Sequence, residues 1–344
     1  MIVTKGIKFK TFCEWMGIHI IWLLILMTTI AFLYCYQIIS FSIPWVAVAV
    51  IGTAVAFYVG FKNNQAYDRM WEARKIWGAI VNDSRSWGML VDSYISNLFT
   101  EKKYSDEELY QIKKRLIYRH FAWLYAHRSQ LLVATSWEHI SQQGHTGKIA
   151  QRYQKKFGIG LIDDEVTQTG LKSFLPADEY DRLVGSVNTA TQIINEQSRD
   201  LAKIREKDVI DDFRQMQMEN VLRNFYDSQG KNERIKKFPL PRQYAHISRY
   251  FVGIFIAMLP FSLIPEIMKL GDWGIWLAIP VTALVGWVYV TMEIVGDYTE
   301  NPFQGMANDI PMMSLCRTIE IDLRQMLNET DLPPAIQAQN GVLM

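Results

Sequence analysis

The chain has 344 residues, of which 49% are hydrophobic and 21% charged, and its formal net charge is +1. The small net charge excludes the strongly basic surface that is typical of nucleic-acid-binding proteins. Cys13, Cys35 and Cys316 form no CxxC pair, so they predict neither a disulfide framework nor a zinc site. Charge is unevenly distributed, because two nearly uncharged blocks flank a long charged middle.

The first uncharged block is long enough for two membrane crossings. No residue from Ile20 to Phe61 carries a charge, which makes a run of 42 residues. One helical crossing needs about 20 apolar residues. Pro44 disfavours helix at the residue before it, so we place the first span near 20–40 and the second near 44–61. The run is too long for a cleaved signal peptide, and we expect an uncleaved membrane anchor.

The second uncharged block predicts two further crossings. Tyr250–Pro265 holds 16 residues and Trp273–Met292 holds 20. The shorter run can be extended by Arg249 and Glu266, whose charged groups can reach the interface. Lys and Arg cluster on one side of the four spans, so the positive-inside rule places both termini and the long middle in the cytoplasm, as in a multi-pass inner-membrane protein.

The charged middle, residues 62–248, predicts a helical bundle. Apolar residues recur at three- and four-residue spacing in segments such as "EELYQIKKRLIYRHFAWLYAHRSQLL". His120 and His127 lie seven apart in that segment, and we favour a packed or solvated pair over a site. The sequence has no nucleophile-elbow, P-loop or dinucleotide-binding motif, so it predicts no enzyme.

Two motifs follow the apolar blocks. "GFKNNQAYDRMWEARKIWG" (Gly60–Gly78) comes directly after the second span, and "ENPFQGMANDIP" (Glu300–Pro311) comes shortly after the fourth. With two crossings on each side of a helical insert, these motifs resemble the bestrophin family of ion channels, in its bacterial branch, over residues 10–328. The resemblance implies an all-α membrane protein with four transmembrane helices per subunit and a cytoplasmic helical bundle, assembled as a homopentamer around a central pore.

The resemblance also implies a pore neck on the second crossing, formed by Thr53, Phe57 and Phe61. Helix geometry agrees, because steps of four residues rotate by about 40° each and keep all three on one face. Without the resemblance, ordinary helix packing would explain such a stripe better. Phenylalanine rings around an axis would form a dry constriction that gates by dewetting, and their positive edges would favour anions. Thr53 replaces the family's isoleucine-like residue, so its hydroxyl should ease wetting.

Three more residues are candidates beyond the neck. Lys62 and Arg69 could raise the local anion concentration, although positive-inside anchoring explains them equally well. Alignment of "MENVL" (Met218–Leu222) with the family's equivalent segment puts the cytoplasmic aperture at Phe213. The alternative for Phe213 is a core residue of the bundle.

The corner after the fourth span resembles the place where animal members of the family bind calcium. Asn301 and Asp309 match that pattern, but the family's run of consecutive acids is replaced by "QGMAN". Calcium needs six to eight oxygen ligands. We therefore expect weak or no calcium binding and no other cofactor or metal. Asp297, Glu300, Asn301 and Asp309 would then serve as caps and subunit contacts.

These observations predict five segments and one leading function. The segments are 1–61 with the first two spans, 62–248 as the cytoplasmic helical domain, 249–296 with the last two spans, 297–328 as the C-terminal corner and helix, and 329–344 as a flexible tail.

The leading interpretation is a pentameric channel for small monovalent ions, with chloride or another anion favoured. Its partners would be its own copies, membrane lipids and permeant ions, and no nucleic acid. A monovalent cation (sodium) channel of the same architecture is the first alternative. A secondary transporter of a small anion or a non-conducting membrane scaffold is the second. The lack of ionisable groups at the middle of the spans counts against the transporter.

Overall fold

A computed structural model describes residues 1–6, 9–142, 144, 147–152, 171–271 and 273–344, and their contacts form two units. The apolar unit comprises Thr4–Met70 and Pro239–Asn301. The polar unit comprises Met1–Val3, Trp71–Phe238 and Pro302–Met344.

Nine helices of eight or more residues form the described part of the chain. They are α1 (Phe9–Cys35), α2 (Trp45–Tyr94), α3 (Asp106–Leu132), α4 (Ala177–Val184), α5 (Thr189–Glu206), α6 (Asp212–Lys237), α7 (Arg242–Met268), α8 (Gly274–Asp297) and α9 (Met312–Met326). Residues 147–152 and 171–174 are also helical. Extended pairing in these residues is limited to isolated β-bridges, so the all-α prediction is confirmed.

Four helices, α1, α2, α7 and α8, are long and apolar enough to cross a membrane. The four predicted crossings are thereby confirmed. α1 ends at Cys35, and α2 begins at Trp45 directly after Pro44, so 36–44 is a short connection. α2 does not end with the uncharged run at Phe61 but continues for 50 residues in all.

The core of the apolar unit joins all four of these helices. Leu23 of α1, Val55 and Val59 of α2 and Phe255 of α7 are buried in one cluster. At Gly286 of α8, an added Cβ would lie 3.2 Å from the Leu23 side chain. Close packing of small and apolar side chains is what holds helices together in lipid, where burial brings little hydrophobic gain.

Proline residues inside the apolar helices leave backbone carbonyls without their helical donor. Pro260 and Pro265 lie within α7, and Pro280 lies within α8. The carbonyl of Phe261 is four residues before Pro265, and it accepts a hydrogen bond from the Ile43 N–H at 3.0 Å. The spare acceptor therefore anchors the connection that precedes α2.

α3 is the central helix of the polar unit and packs against α5, α6 and α9. It begins with a capping box, in which the side chains of Ser105 and Glu108 each bond to the other's backbone N–H. Within the unit, Arg119 of α3 is buried and pairs with Glu179 of α4 and Asp200 of α5. This network ties three helices together by charge-assisted hydrogen bonds.

The segment 329–344, expected from its sequence to be a flexible tail, makes defined contacts within the polar unit. Ile2 and Val342 form an antiparallel bridge. The Ser314 N–H donates to the Met344 carbonyl at 2.8 Å, and the Tyr118 hydroxyl donates to the Glu329 carboxylate. The structure thus holds this segment against α3, α9 and the first residues of the chain.

His120 and His127 of α3 lie in the core of the polar unit rather than at a site. The ring of His127 stacks on Trp77 and Trp123, with centroids 5.9 and 5.7 Å away. His120 Nε2 lies 2.9 Å from Ser84 Oγ. Burial lowers the pKa of His120 to about 3 and that of His127 to about 4. Both imidazoles are therefore neutral packing groups at neutral pH.

Acidification should destabilise the protein through these two histidines. The unfolded chain takes up their protons below pH about 6.5, whereas the folded chain resists until pH about 4 or lower, so stability falls as pH drops through that window. We expect a loss of about 2 kcal/mol per histidine between pH 7 and pH 5. The measurement is unfolding of purified protein in detergent, followed by tryptophan fluorescence. His127→Gln should flatten the pH dependence, and the exposed control His246→Gln should leave it unchanged.

Candidate functional site

The predicted neck residues lie on one exposed face of α2 within the apolar unit. Thr53, Phe57 and Phe61 are all exposed, and the side chains of Phe57 and Phe61 are 66% and 63% accessible. They follow one another at four-residue steps, which keeps them on one helix face over about 12 Å of axis. Two large aromatic rings are therefore presented away from the packed core of the unit.

Packing within the apolar unit fixes which face of α2 is exposed. Val55 and Val59 point into the core and are almost fully buried. Gly52 is also buried, and an added Cβ would lie 2.7 Å from Phe255. The Tyr289 hydroxyl of α8 donates to the Gly52 carbonyl at 3.1 Å. These contacts set the rotation of α2, so the row of neck residues cannot turn inward without breaking them.

A groove of about 600 Å³ runs along the neck row. Its lining consists of Thr53, Ala56, Phe57, Gly60, Phe61, Asn64 and Tyr289. The small residues Ala56 and Gly60 leave the backbone of α2 accessible beside the aromatic rings. The neck residues themselves therefore line an open groove rather than a packed surface.

Lys62 follows the neck row directly and is completely buried in the apolar unit. Its ammonium pairs with Oε1 of Glu293 on α8 at 2.5 Å, and the Ser248 hydroxyl donates to the same oxygen at 2.9 Å. The carboxylate compensates the ammonium charge at short range. The ion-attracting role of Lys62 stays a prediction, and this pairing limits the field that the residue can project.

The two other candidates beyond the neck lie in different surroundings. Arg69 is partly buried further along α2. Phe213 lies in the first turn of α6, after the cap in which Asp211 accepts a hydrogen bond from the Arg214 N–H. With 76% of its surface accessible, Phe213 is not a core residue of the polar unit. Its role as the cytoplasmic aperture stays a prediction that this exposure permits.

Three of the four corner residues are paired within the apolar unit. Asp297 pairs with Arg249 at 3.3 Å, and Glu300 pairs with Arg242 at 3.2 Å. The Asn301 amide contacts Glu300 at 3.4 Å. One oxygen of each carboxylate, Asp297 Oδ1 and Glu300 Oε1, is thus engaged by an arginine.

Asp309 belongs to the polar unit, where it holds the turn before α9. Its carboxyl accepts hydrogen bonds from the backbone N–H groups of Phe303, Gly305 and Ile310 at 3.0, 2.8 and 2.7 Å. Phe303 and Gly305 both have positive φ, and the turn depends on these bonds. Burial raises the pKa of Asp309 above its usual range, although the three donors act in the opposite direction. These contacts hold the turn, and the capping role expected from the sequence stays a prediction.

Sequence reasoning missed the partner of Lys62 and the contribution of α8 to the groove. A signal for the pair exists, because Lys62 and Glu293 are each the first charged residue after an uncharged run. Opposite charges at the same end of two crossings can meet once the helices pack. The Tyr289 contact has no such signal, since a tyrosine within an apolar span is ordinary.

Comparison with known proteins gives relatives along most of the chain. It is 25% identical over 315 residues to "Voltage-dependent anion channel-forming protein YneE" of Escherichia coli (strain K12), covering 89% of this chain and 87% of that protein. It is 24% identical over 302 residues to "Voltage-dependent anion channel-forming protein sll1024" of Synechocystis sp., covering 88% and 83% respectively.

The fold is shared with a protein of known structure. A crystal structure of a bacterial bestrophin homolog from Klebsiella pneumoniae superimposes with a TM-score of 0.72 at 18% identity, over 92% of this chain and 99% of that one. The family model described as "Bacterial/Fungal Bestrophin protein" matches residues 14–325. The chain therefore belongs to the bestrophin family, in its bacterial and fungal branch.

Proposed function

We propose that this chain is one subunit of an anion channel, in which five copies surround a central pore lined by the first half of α2. The observation that carries the proposal is the exposed row of Thr53, Phe57 and Phe61 on a membrane-length helix. Family membership and the names of the relatives support it. The groove along the row supports a pore, because the three neck residues themselves line an open space.

The chemistry of the row accounts for conduction and for ion preference. Rings of phenylalanine side chains exclude water from a narrow neck, so the neck conducts only when it becomes wet. The edges of phenyl rings carry partial positive charge and interact favourably with anions. The proposal places both termini in the cytoplasm of an inner-membrane protein, following the distribution of Lys and Arg.

The remaining candidates take supporting roles in this proposal. Phe213 would narrow the cytoplasmic aperture, and Arg69 would attract anions near the neck. The corner residues would act as caps and subunit contacts, with no calcium requirement. Asp297 and Glu300 each pair one carboxylate oxygen with an arginine, and both oxygens of Asp309 accept backbone N–H groups. The chemistry is passive ion flow and not catalysis.

The direct test is a reversal-potential measurement on purified protein in planar bilayers under a KCl gradient. A reversal potential near the chloride equilibrium potential supports the anion channel, and one near the potassium equilibrium potential contradicts the anion preference. Absence of ion flux from proteoliposomes would contradict conduction altogether. Native mass spectrometry should show five copies, and a monomer would contradict the central pore.

Replacing Thr53 by valine should lower the conductance. The Thr53 hydroxyl donates to the Ala49 carbonyl at 2.9 Å, so its oxygen can still accept a hydrogen bond from water in the groove. Thr53→Val keeps the shape and removes that contact. A wetting barrier higher by about 1 kcal/mol would reduce single-channel current about fivefold.

The matched control is Thr29→Val on α1. Thr29 is exposed and donates to the Ile25 carbonyl at 2.8 Å, the same bond in a different helix. This variant should conduct like the wild type. Equal currents from the Thr53→Val channel and the wild type would contradict a role for the hydroxyl in wetting.

A further inference from the structure

The exposed face of α2 continues past Phe61 with polar residues. Asn64 and Asp68 are both exposed on the same helix in the apolar unit. At 3.6 residues per turn, Asn64 lies about 20° and Asp68 about 60° around the axis from Thr53. Phe61 itself lies at about 80°. Both polar residues therefore fall within the arc that the neck row defines.

Asp68 carries a charge that forms no ion pair with the described residues. Other charged groups near this end of the apolar unit are paired: Lys62 with Glu293, Arg242 with Glu300 and Arg249 with Asp297. Within the described ranges, the Asp68 side chain takes part in no ion pair or side-chain hydrogen bond. The exposed carboxylate lies about 10 Å beyond Phe61 along the helix axis.

We propose that Asp68 is a specificity-determining residue of the pore, which opposes anions at the cytoplasmic end of the neck. The inference rests on the proposed function, because it needs several copies of α2 around one axis. In that arrangement each subunit contributes one carboxylate, and their fields add. Rings of acidic side chains attract cations and repel anions. Asp68 therefore limits the anion preference that the phenylalanine rings provide.

The influence of the Asp68 carboxylates on ions in the neck depends on screening by salt. The Debye length is about 10 Å in 0.1 M salt and about 3 Å in 1 M salt. The field of an Asp68 ring then reaches the end of the neck at low salt but not at high salt. Focusing of like charges in a cleft changes local ion concentration by about tenfold or more. The influence of Asp68 should accordingly be strong in dilute KCl and weak in concentrated KCl.

Two substitutions on this face test the proposal, because they should change the permeability ratio in opposite directions. In dilute KCl, Asp68→Asn should raise the chloride-to-potassium permeability ratio by about tenfold, and Asn64→Asp should lower it. Both side chains are exposed, so neither change disturbs the packed core. The control is Asp92→Asn, which removes an exposed carboxylate further along α2 that pairs with Lys113. It should leave the ratio unchanged.

A cysteine at position 68 supplies a second readout. In Asp68→Cys channels, a sulfonate-bearing thiol reagent should restore the wild-type permeability ratio, and an ammonium-bearing reagent should raise the ratio above that of Asp68→Asn. The wild type treated with the same reagents controls for the exposed Cys13 and Cys35. Failure of both reagents to act would overturn the placement of Asp68 in the ion path.

The outcomes separate this inference from the proposed function. If the wild type conducts but Asp68→Asn leaves the ratio and its salt dependence unchanged, Asp68 faces a subunit contact or bulk water and the inference is overturned alone. If the wild type passes no current, the proposed function is overturned and the inference with it. A larger ratio for Asp68→Asn that shrinks in concentrated KCl supports both.

Discussion

Channels in which Phe57 and Phe61 are both replaced by alanine should conduct at least about tenfold more current than the wild type. The two rings are the most exposed large side chains on the neck row, and in the proposed pore they form the dry constriction. Removing them widens the neck and lets water enter, which eliminates the dewetting barrier. A barrier lower by about 1.4 kcal/mol already raises a rate tenfold.

Single-channel recording in planar bilayers measures the conductance, and two further variants serve as comparisons. The double variant Phe57→Leu with Phe61→Leu keeps the neck apolar, but its side chains are smaller than phenylalanine. Its conductance should lie between that of the wild type and that of the double alanine variant. Phe32→Ala removes an exposed ring from α1, outside the neck row, and should conduct like the wild type. If the double alanine variant carried wild-type current, the neck would have to lie elsewhere.

Loss of the Lys62 ammonium should strongly destabilise the apolar unit. Lys62→Met leaves Glu293 buried without its counter-charge, and removing one partner of a buried ion pair costs about 3–5 kcal/mol. Among the described residues, the Ser248 hydroxyl would then be the one side chain still donating to the stranded carboxylate. We expect a markedly lower midpoint for thermal unfolding of the purified protein in detergent.

A double substitution separates the loss of the ion pair from the cost of leaving one charge buried alone. Lys62→Met with Glu293→Leu removes both charges and should recover most of the lost stability, because apolar replacements of buried pairs are often neutral. The exposed pair Lys269–Glu266 is the control, and Lys269→Met should change stability by less than about 1 kcal/mol. A Lys62→Met variant as stable as this control would contradict the stabilising role of the buried pair.

Much of the apolar unit could be predicted from the sequence, for a simple physical reason. Long uncharged runs have few stable outcomes other than membrane-length helices, since lipid leaves the backbone no other hydrogen-bond partners. The end of α2 could not be predicted in this way. Charged residues begin at Lys62, but they are adequate helix formers, so the helix continues to Tyr94.

The candidate site could be predicted only where helix periodicity determines it. The shared face of Thr53, Phe57 and Phe61 follows from four-residue spacing, and the structure exposes all three. The pairing of Lys62 depends on Glu293, which is 231 residues away in the chain and is brought near only by tertiary packing. For Phe213, the periodicity of a charged helix could not show whether the side chain lies in the core or on the surface. The structure exposes it.

The carbonyl freed by a proline in α7 has a practical consequence for mapping membrane topology. The Phe261 carbonyl accepts a hydrogen bond from the Ile43 N–H, and the Tyr34 hydroxyl donates to the Phe41 carbonyl at 2.8 Å. An epitope inserted into the connection between α1 and α2 would have to break these bonds. Residues 269–271, between α7 and α8, are all exposed, and an epitope there would report the same side of the bilayer with less disturbance to the transmembrane helices.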